Sequence, residues 1–341
     1  MSIAHAHAHG GPVARGVLRA QPCDFEVEEV LGFEPDGSGE HVLLRVEKTG
    51  ANTDWVARQL ARAAGVAPMA VGYAGLKDRH AVTRQAFTVQ LAGRAAPDWH
   101  ALRIEGVEVL SAARHSRKLR RGAHRANRFV IRLRDVEGGR EDVERRLAQI
   151  AACGVPNYFG EQRFGRDGGN VALAEALFAG RRLPREQRGI ALSAARSALF
   201  NAVLARRVGE GNWDQGLDGD VWMIDGTQSI FGPEPWSEDL AQRLATAAIH
   251  PTGPMWGQSE LRSTGAVAAL EREVADVHAT LAAGLAGAGL AQERRALRLR
   301  VRELRHAWVA PDLLELGFTL DRGAFATSML RELLDWHAPA T

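Results

Sequence analysis

One aspartate stands among basic residues in the stretch VGYAGLKDRHAVTRQAFTV, residues 71–89. Asp78 follows a glycine-containing turn and is flanked by Lys77 and Arg79. An aspartate in a polar loop commonly hydrogen-bonds its own backbone, so a structural role is one interpretation. The other is chemical, because cations such as Lys77, Arg79 or Arg19 would keep a partly desolvated carboxylate ionised. Such a group can act as a nucleophile or a base, and the spacing does not choose between these roles.

A second candidate is the basic segment, residues 114–128, which holds seven Lys or Arg, two His and no acid. It could be a solvated face, or its cations could bind nucleic-acid phosphates. Asn127 offers a donor and an acceptor, which suits the edge of a base. Arg298, Arg300 and Arg302 alternate with aliphatic residues and could extend the patch. The predicted phosphate contacts within the segment are Arg117, Lys118, Arg120 and Arg121.

Two aromatic residues form a third group. Phe25 in CDFEVEE and Phe325 in GAFATS each stand beside small or polar residues. Burial in the core is the ordinary expectation for phenylalanine. The alternative is that the two rings wall a slot for a flat ligand, since aromatic stacking is a common way to hold an unstacked base.

Known cofactor and metal motifs are missing from the sequence. It has no P-loop, no G-x-G-x-x-G after a strand and no H-E-x-x-H. Cys23 and Cys153 are far apart, which argues against a disulfide scaffold or a cysteine zinc site and favours a reducing cytoplasm. His5, His7 and His9 alternate with alanine, and a mobile tail is favoured there over a metal site. A site that uses a carboxylate, with no cofactor and no metal, remains.

Length and charge set wider bounds. A chain of 341 residues is long for one core and fits two domains. Its net charge of +2 excludes a uniformly basic surface, yet residues 20–44 contain seven acids and no Lys or Arg. A polyanion could therefore bind one face of a nearly neutral protein. No run reaches the ~18 apolar residues of a membrane span, and no signal peptide is evident.

Hydrophobic periodicity predicts strands towards both ends of the chain and a mostly helical block over residues 170–295. The first two strands are expected to pair as a hairpin, and Thr53 is the predicted N-cap of the first helix. This order predicts an α/β domain of the α+β kind, interrupted by an inserted domain. The predicted strands are 24–30, 41–49, 71–74, 85–91, 129–136, 296–304 and 313–323, and the main helices are 141–154, 192–208 and 325–336 after a first one over 52–65.

Six segments, in the same order, resemble those of TruD, the tRNA pseudouridine synthase D family. The resemblance covers nearly the whole chain after the His/Ala tail, and six long motifs in register are far more specific than a lone KDR. The segments are PCDFEVEEVLGFEPDGSGEHVLLRVEKTGANT, GYAGLKDRHAVTRQAFTV, ARHSRKLRRGAHRANRF, GVPNYFGEQRFG, LSAARSALFN and GAFATSMLREL.

The resemblance implies a pseudouridine-synthase-like domain with a mixed, largely antiparallel sheet, interrupted by an inserted, mainly helical TRUD domain. The boundaries that follow are a mobile tail over 1–15, a catalytic domain over 16–153 plus 301–341, and an inserted domain over 154–300. The start of the insertion coincides with a change of texture towards Gly, Asn and aromatic residues near residue 154.

The resemblance also implies an activity, the isomerisation of uridine 13 in the D-arm of tRNA to pseudouridine without a cofactor. Asp78 would be the catalytic aspartate, and Phe25, Asn127 and Phe325 would line the uracil pocket. Arg19 falls where the family places a basic residue near the aspartate, lysine in some members. Whether the aspartate acts at C1′, at C6 or as a base on the ribose stays open, and the group that removes the C5 proton is unassigned.

The expected partner is therefore tRNA, for a cytoplasmic protein that is a monomer, with no membrane and no protein partner. Two other classes compete with this expectation. A non-catalytic RNA-binding or chaperone protein could use the same fold, because fold does not dictate function. A nuclease or phosphotransferase using Mg²⁺ would need several clustered acids, whereas the segment around Asp78 supplies one.

Overall fold

The computed structural model describes residues 6–337, so His5 of the predicted tail lies outside the described residues. The helices are α1 Thr53–Ala63, α2 Arg140–Cys153, α3 Gly169–Phe178, α4 Arg185–Gly209, α5 Glu238–Ala245, α6 Gly265–Val277, α7 Ala279–Gly287 and α8 Ala326–Leu333. Within residues 6–337 no helix combines the length and the apolar character needed to cross a membrane.

The strands are β1 Ala14–Leu18, β2 Phe25–Val30, β3 His41–Thr49, β4 Val71–Tyr73, β5 Val82–Gln90, β6 Val107–His115, β7 Ala126–Gly138, β8 Val155–Pro156, β9 Trp222–Ile224, β10 Ile230–Phe231, β11 Ile249–Met255, β12 Glu293–Ala296, β13 Arg298–Leu299, β14 Arg302–Ala310, β15 Leu313–Asp321 and β16 Leu334–His337.

The described residues divide into two compact units. The sheet unit consists of 13–143, 301–323 and 334–337, and the helical unit consists of 6–12, 144–300 and 324–333. The border after residue 300 matches the predicted end of the insertion, but the other border falls inside α2, ten residues before the predicted start. Residues 324–333 also belong to the helical unit. The assignment of 154–300 as an inserted domain stays a prediction.

The sheet unit is built on one large sheet in the order β14-β15-β7-β2-β5-β3-β6. Strand β1 pairs with β7 and β16, and β4 pairs with β5. Within residues 6–337, only the pairs β1–β16 and β2–β5 of this sheet are parallel, so the expected mixed, largely antiparallel sheet is confirmed. The hairpin prediction is wrong, because β5 lies between β2 and β3. Alternation identifies a strand but not its partner, and residues 31–40 form a longer connection than a tight hairpin turn.

Helix α1 packs its apolar stripe on one face of this sheet. Val56 and Leu60 are fully buried against Leu44, Val46 and Phe87. Asn52, not Thr53, holds the N-cap position of α1. The hydroxyl of Thr53 is therefore free to form hydrogen bonds in the candidate site.

The helical unit has α4 at its centre, packed against α3, α6 and α7. Small sheets complete it, in the order β10-β9-β11-β12 and as the pair β13–β8. The predicted strand over 296–304 is wrong, because it is broken into the end of β12, all of β13 and the start of β14. The three pieces pair with different strands, β12 with β11, β13 with β8 and β14 with β15, so the alternating sequence does not form one continuous strand.

Residues 6–15, the described part of the predicted mobile tail, do not form a free segment. Strand β1 already begins at Ala14, and the residues before it make specific contacts in the helical unit. The amides of Ala8 and His9 donate to the buried Glu332 carboxylate at 2.9 and 3.2 Å. The His9 ring hydrogen-bonds the Gly154 carbonyl at 2.9 Å. The described part of the tail is thus packed, contrary to the prediction.

Candidate active site and basic surface

The loop that carries Asp78 connects β4 to β5 and is anchored before the aspartate. The Lys77 amide donates to Thr53 Oγ1 at 3.0 Å. The Thr53 hydroxyl in turn donates to Gln85 Oε1 at 2.8 Å, and Gln85 Nε2 donates to the Gly75 carbonyl at 3.3 Å. Because Thr53 and Gln85 belong to α1 and β5, the rigid layers on both sides of the loop determine its path.

The Asp78 side chain makes a local turn bond and an ion pair, and it stays partly exposed. Its Oδ1 accepts the His80 amide at 3.0 Å, the local turn bond of a structural aspartate. Its Oδ2 pairs with Arg19 Nη2 at 2.9 Å, and 26% of the side chain is exposed. A carboxylate has about four acceptor positions, so lone pairs on both oxygens stay available. The group is oriented yet accessible to a ligand.

Arg19 links the aspartate to an aromatic ring. It follows β1 with a positive φ of 64°, and its guanidinium carbon lies 4.1 Å from the centroid of Phe25. Phe25 is only 4% exposed and packs edge-on against Phe129 at 6.1 Å. The ring thus supports Arg19 through a cation–π contact, and Arg19 orients the carboxylate.

Of the three cations expected near the Asp78 carboxylate, Arg19 pairs with it, whereas Lys77 and Arg79 bind other groups. The Lys77 ammonium binds the buried Glu29 Oε2 at 2.7 Å. Arg79 Nε donates to the Gly50 carbonyl at 3.0 Å. The strand pattern does contain a signal for the first contact: Glu29 alternates with Phe25 and Val27 on the buried face of β2, and a carboxylate there needs a partner.

Lys48 is a site residue that the sequence analysis missed. It is 1% exposed, and its ammonium donates to the carbonyls of Asp78 at 2.9 Å and Lys77 at 3.4 Å. Burial lowers the pKa of Lys48 from 10.5 to about 8, against the opposing effect of the Asp78 charge. The sequence did contain a signal for this residue. Lys48 alternates with Leu44 and Val46, which places its side chain on the buried face of β3.

Asn127 lies on β7 directly opposite Glu29 of β2. Its Nδ2 is 3.4 Å from His124 Nε2, while its Oδ1 is buried without a hydrogen-bond partner among residues 6–337. Burial, with the nearby charge of Lys77, lowers the pKa of His124, so this imidazole is neutral at pH 7. The amide oxygen of Asn127 is therefore a free acceptor beside a neutral ring, an arrangement suited to a donor on a ligand.

Phe325 belongs to the helical unit, where it is half-buried and packs edge-on against Phe159 at a centroid distance of 6.3 Å. Its predicted place in a uracil pocket with Phe25 and Asn127 stays a prediction.

The basic segment is exposed at its four predicted phosphate contacts, Arg117, Lys118, Arg120 and Arg121. Within it, Arg121 lies over the ring of Tyr73, 4.3 Å from its centroid, and Lys118 donates to the Met69 carbonyl. Arg298 does not extend this surface. It is 7% exposed in the helical unit and donates to buried carbonyls of Leu244 and Ile249 at 2.9 Å.

The sheet and the α1 layer give this chain a fold that is also found in a solved structure. The crystal structure of a putative tRNA pseudouridine synthase D from Methanosarcina mazei matches with a TM-score of 0.74 over 96% of this chain and 95% of that one. The two sequences are 19% identical, so this likeness concerns the fold alone.

Sequence comparison identifies the family. The family model for tRNA pseudouridine synthase D (TruD) matches residues 4–178 and 170–333. Relatives called tRNA pseudouridine synthase D are 52% identical in Xanthomonas axonopodis pv. citri and 50% in Methylococcus capsulatus, each over 96% of this chain and 94% of the relative. The chain belongs to the tRNA pseudouridine synthase D family.

Proposed function

We propose that this protein isomerises uridine to pseudouridine in tRNA, with uridine 13 of the D-arm as the target and Asp78 as the catalytic carboxylate. The observation that carries the proposal is the Asp78–Arg19 ion pair of 2.9 Å above Phe25, in a chain matched by the TruD family model over most of its length. The partly exposed carboxylate has the orientation and the accessibility that such a reaction needs.

The reaction breaks the N1–C1′ glycosidic bond, turns the uracil and joins its C5 to C1′. Every atom of the substrate is kept and no electron is gained or lost, so the isomerisation requires no redox cofactor. The target nucleotide must leave the helical stack, which costs a few kcal/mol that contacts in the pocket offset.

Each side chain has a proposed part in this chemistry. Asp78 supplies a carboxylate oxygen, and attack at C1′, attack at C6 and removal of a ribose proton remain alternatives. Arg19 holds that oxygen in position. Asn127 Oδ1 is assigned to accept the N3–H of the uracil, because this buried oxygen has no hydrogen-bond partner among residues 6–337. The family resemblance also assigns Phe25 and Phe325 to the uracil.

The basic segment would hold the tRNA backbone. Its exposed guanidinium and ammonium groups suit phosphates, and binding would release counterions. The cations assigned to this role are Arg117, Lys118, Arg120 and Arg121.

The decisive experiment replaces Asp78 by Asn. We expect Asp78→Asn to lower pseudouridine formation on unmodified tRNA below detection while the affinity for tRNA changes less than threefold. Asp98→Asn is the matched control, because Asp98 Oδ1 accepts the His100 amide at 3.1 Å in the same two-residue turn but has no arginine partner among the described residues. If both variants keep wild-type rates, Asp78 is structural and the assignment is wrong.

Mapping pseudouridine at nucleotide resolution tests the target. If pseudouridine appears at another tRNA position, the proposed reaction is correct and the assignment of uridine 13 as the target is wrong. If wild-type protein binds tRNA but forms no pseudouridine, the non-catalytic RNA-binding alternative is correct. Pseudouridine formation that is retained in EDTA would argue against a metal-dependent nuclease or phosphotransferase.

A further inference from the structure

A groove of about 800 Å³ lies in the sheet unit between two connections, residues 31–40 after β2 and residues 116–123 after β6, with His115 at the end of β6. It combines aromatic, cationic and acidic side chains. The residues that line it are Phe33, Glu34, Asp36, His115, Ser116, Arg117, Lys118, Leu119, Arg120 and Ala123.

The groove is preformed, because hydrogen bonds connect its two walls. Asp36 accepts the Ser116 amide at 2.9 Å and also the Ser116 hydroxyl. The Gly37 amide donates to the Arg114 carbonyl at 3.0 Å. At Gly39, with a φ of 94°, a Cβ atom would lie 2.5 Å from the Cα of Ser116, so only glycine permits this approach.

One aromatic ring in the groove is both exposed and held in place. Phe33 is 39% exposed, and its ring stacks on that of the buried His115 at 5.5 Å with an angle of 13° between planes. A single exposed apolar side chain is ordinary on a protein surface. This one, however, is backed by another ring and shares a groove with cations, the combination with which proteins bind single-stranded nucleic acid.

The charge of the groove also favours a polyanion. The guanidinium groups of Arg117 and Arg120 are exposed, and no side-chain hydrogen bond or ion pair joins them to residues 6–337. Lys118 donates to a neutral carbonyl and keeps its charge uncompensated. The acids on the wall are Glu34 and Asp36, whereas the whole basic segment holds seven cations and no acid.

The groove is far from Asp78. Strand β3 connects the two places, because Lys48 binds the Asp78 carbonyl and His41 pairs with His115 at the groove. These two residues are seven positions apart, which corresponds to roughly 23 Å of strand. A nucleotide in the groove is therefore several nucleotides away from one at Asp78.

We propose that this groove binds an unpaired stretch of the RNA substrate away from the reacting uridine, with Phe33 stacked on a base and Arg117, Lys118 and Arg120 on phosphates. The proposal rests on the proposed function and adds a second point of contact with the substrate. Such a contact acts on binding and not on the chemical step, so its loss raises KM for tRNA while kcat stays within about twofold.

The test uses the full-length protein and a short fluorescein-labelled oligouridylate, with affinity measured by fluorescence anisotropy. We expect Phe33→Ala to weaken binding about tenfold, the scale of one lost base–aromatic stack. Phe33→Trp should bind the oligonucleotide with wild-type affinity, because tryptophan also offers an aromatic face. Leu110→Ala is the matched control, because Leu110 is 37% exposed on β6 and lies outside the groove. The Leu110→Ala variant should bind the oligonucleotide as tightly as the wild type.

A second arm tests the phosphate contacts. Arg117→Ala combined with Arg120→Ala should lower the slope of log affinity against log salt by about 1.4, at ~0.7 for each phosphate of a single strand. The proposal would be overturned if Phe33→Ala bound the oligonucleotide as tightly as the wild type, provided that thermal unfolding shows both proteins to be folded. Equally strong competition by a base-paired duplex or by a polyglutamate peptide would overturn it as well.

The two proposals fail separately. If wild-type protein forms pseudouridine but binds the oligonucleotide independently of Phe33, the groove assignment is wrong and the enzyme assignment stands. If the oligonucleotide binds through Phe33 but no pseudouridine forms on tRNA, the groove stands and the assignment of Asp78 fails.

Discussion

The two faces of strand β2 place the same residue type in opposite environments. Glu29 is on the buried face, where its carboxylate is fully buried and pairs with Lys77 at 2.7 Å. Glu28, its neighbour in the chain, is on the other face, where it is 25% exposed and pairs with Arg45 and with Arg128, the latter at 3.5 Å. One carboxylate anchors the loop of the candidate site, and the other belongs to a solvated surface.

The surrounding ion pairs extend this difference. On the exposed face, Glu26 pairs with Arg132 at 2.9 Å and Arg84 pairs with Glu47 at 2.7 Å, all partly solvated. Exposed pairs of this kind contribute about 0–1 kcal/mol each because water and salt screen them. On the buried face, an ammonium that loses its partner stays uncompensated. The comparison teaches that environment, and not residue type, decides which acid matters for the site.

The largest effect should come from Glu29→Gln. Removing the charge leaves the Lys77 ammonium buried without a counterion, which we expect to lower the free energy of unfolding by about 3 kcal/mol. The activity on tRNA should fall as well, because Lys77 directly precedes Asp78. Chemical denaturation and initial rates of pseudouridine formation measure the two effects.

A second substitution separates the lost pair from damage to the packing. Glu29→Gln combined with Lys77→Met removes both charges, so it should recover most of the stability and little of the activity. If the double variant is as unstable as the single one, the cost arises from packing and not from an unpaired charge.

An intermediate effect is expected at Lys48. Lys48→Met removes the ammonium that holds the Asp78 carbonyl, so we expect kcat to fall about tenfold with KM for tRNA unchanged, a loss of roughly 1.4 kcal/mol in the transition state. Methionine has a similar length and no charge to solvate, so the fold should be retained. Steady-state kinetics on tRNA test this, and an unchanged kcat would show that Lys48 does not position the loop.

The pH dependence of stability gives Lys48 an independent signature. Its folded pKa of about 8 lies below its unfolded value near 10.5, so the unfolded state binds more protons between these two pH values. Wild-type stability should therefore rise relative to Lys48→Met between pH 8 and 10.5, by roughly 3 kcal/mol at about 1.4 kcal/mol per pKa unit. Parallel curves for the two proteins would contradict the lowered pKa.

The smallest effect should come from Glu28→Gln, the matched counterpart of Glu29→Gln. Its two arginine partners remain hydrated after the change, so the loss of stability should stay below about 1 kcal/mol. The same denaturation experiment measures it, and added salt should reduce it further. A loss as large as that of Glu29→Gln would remove the distinction between the two faces.

Much of the fold was predictable from short-range pattern. The strand periods, the apolar stripe of α1 and the loop around Asp78 follow from side-chain alternation and helical spacing, which depend only on neighbouring residues. The buried positions of Glu29 and Lys48 were also implicit, since each alternates with aliphatic residues. Their partners were not predictable, because Lys77 is 48 residues from Glu29 in the chain.

The sequence by itself determined that a carboxylate stands in a loop between two strands, that a basic segment lies apart from an acidic one, and that six family segments follow in order. Only the tertiary structure decided that Arg19, and neither Lys77 nor Arg79, pairs with Asp78. It also decided that β5 separates β2 from β3, and that Phe33 stands beside the basic segment. The reason is physical: local periodicity orients a side chain, but its partner is selected by long-range packing of strands.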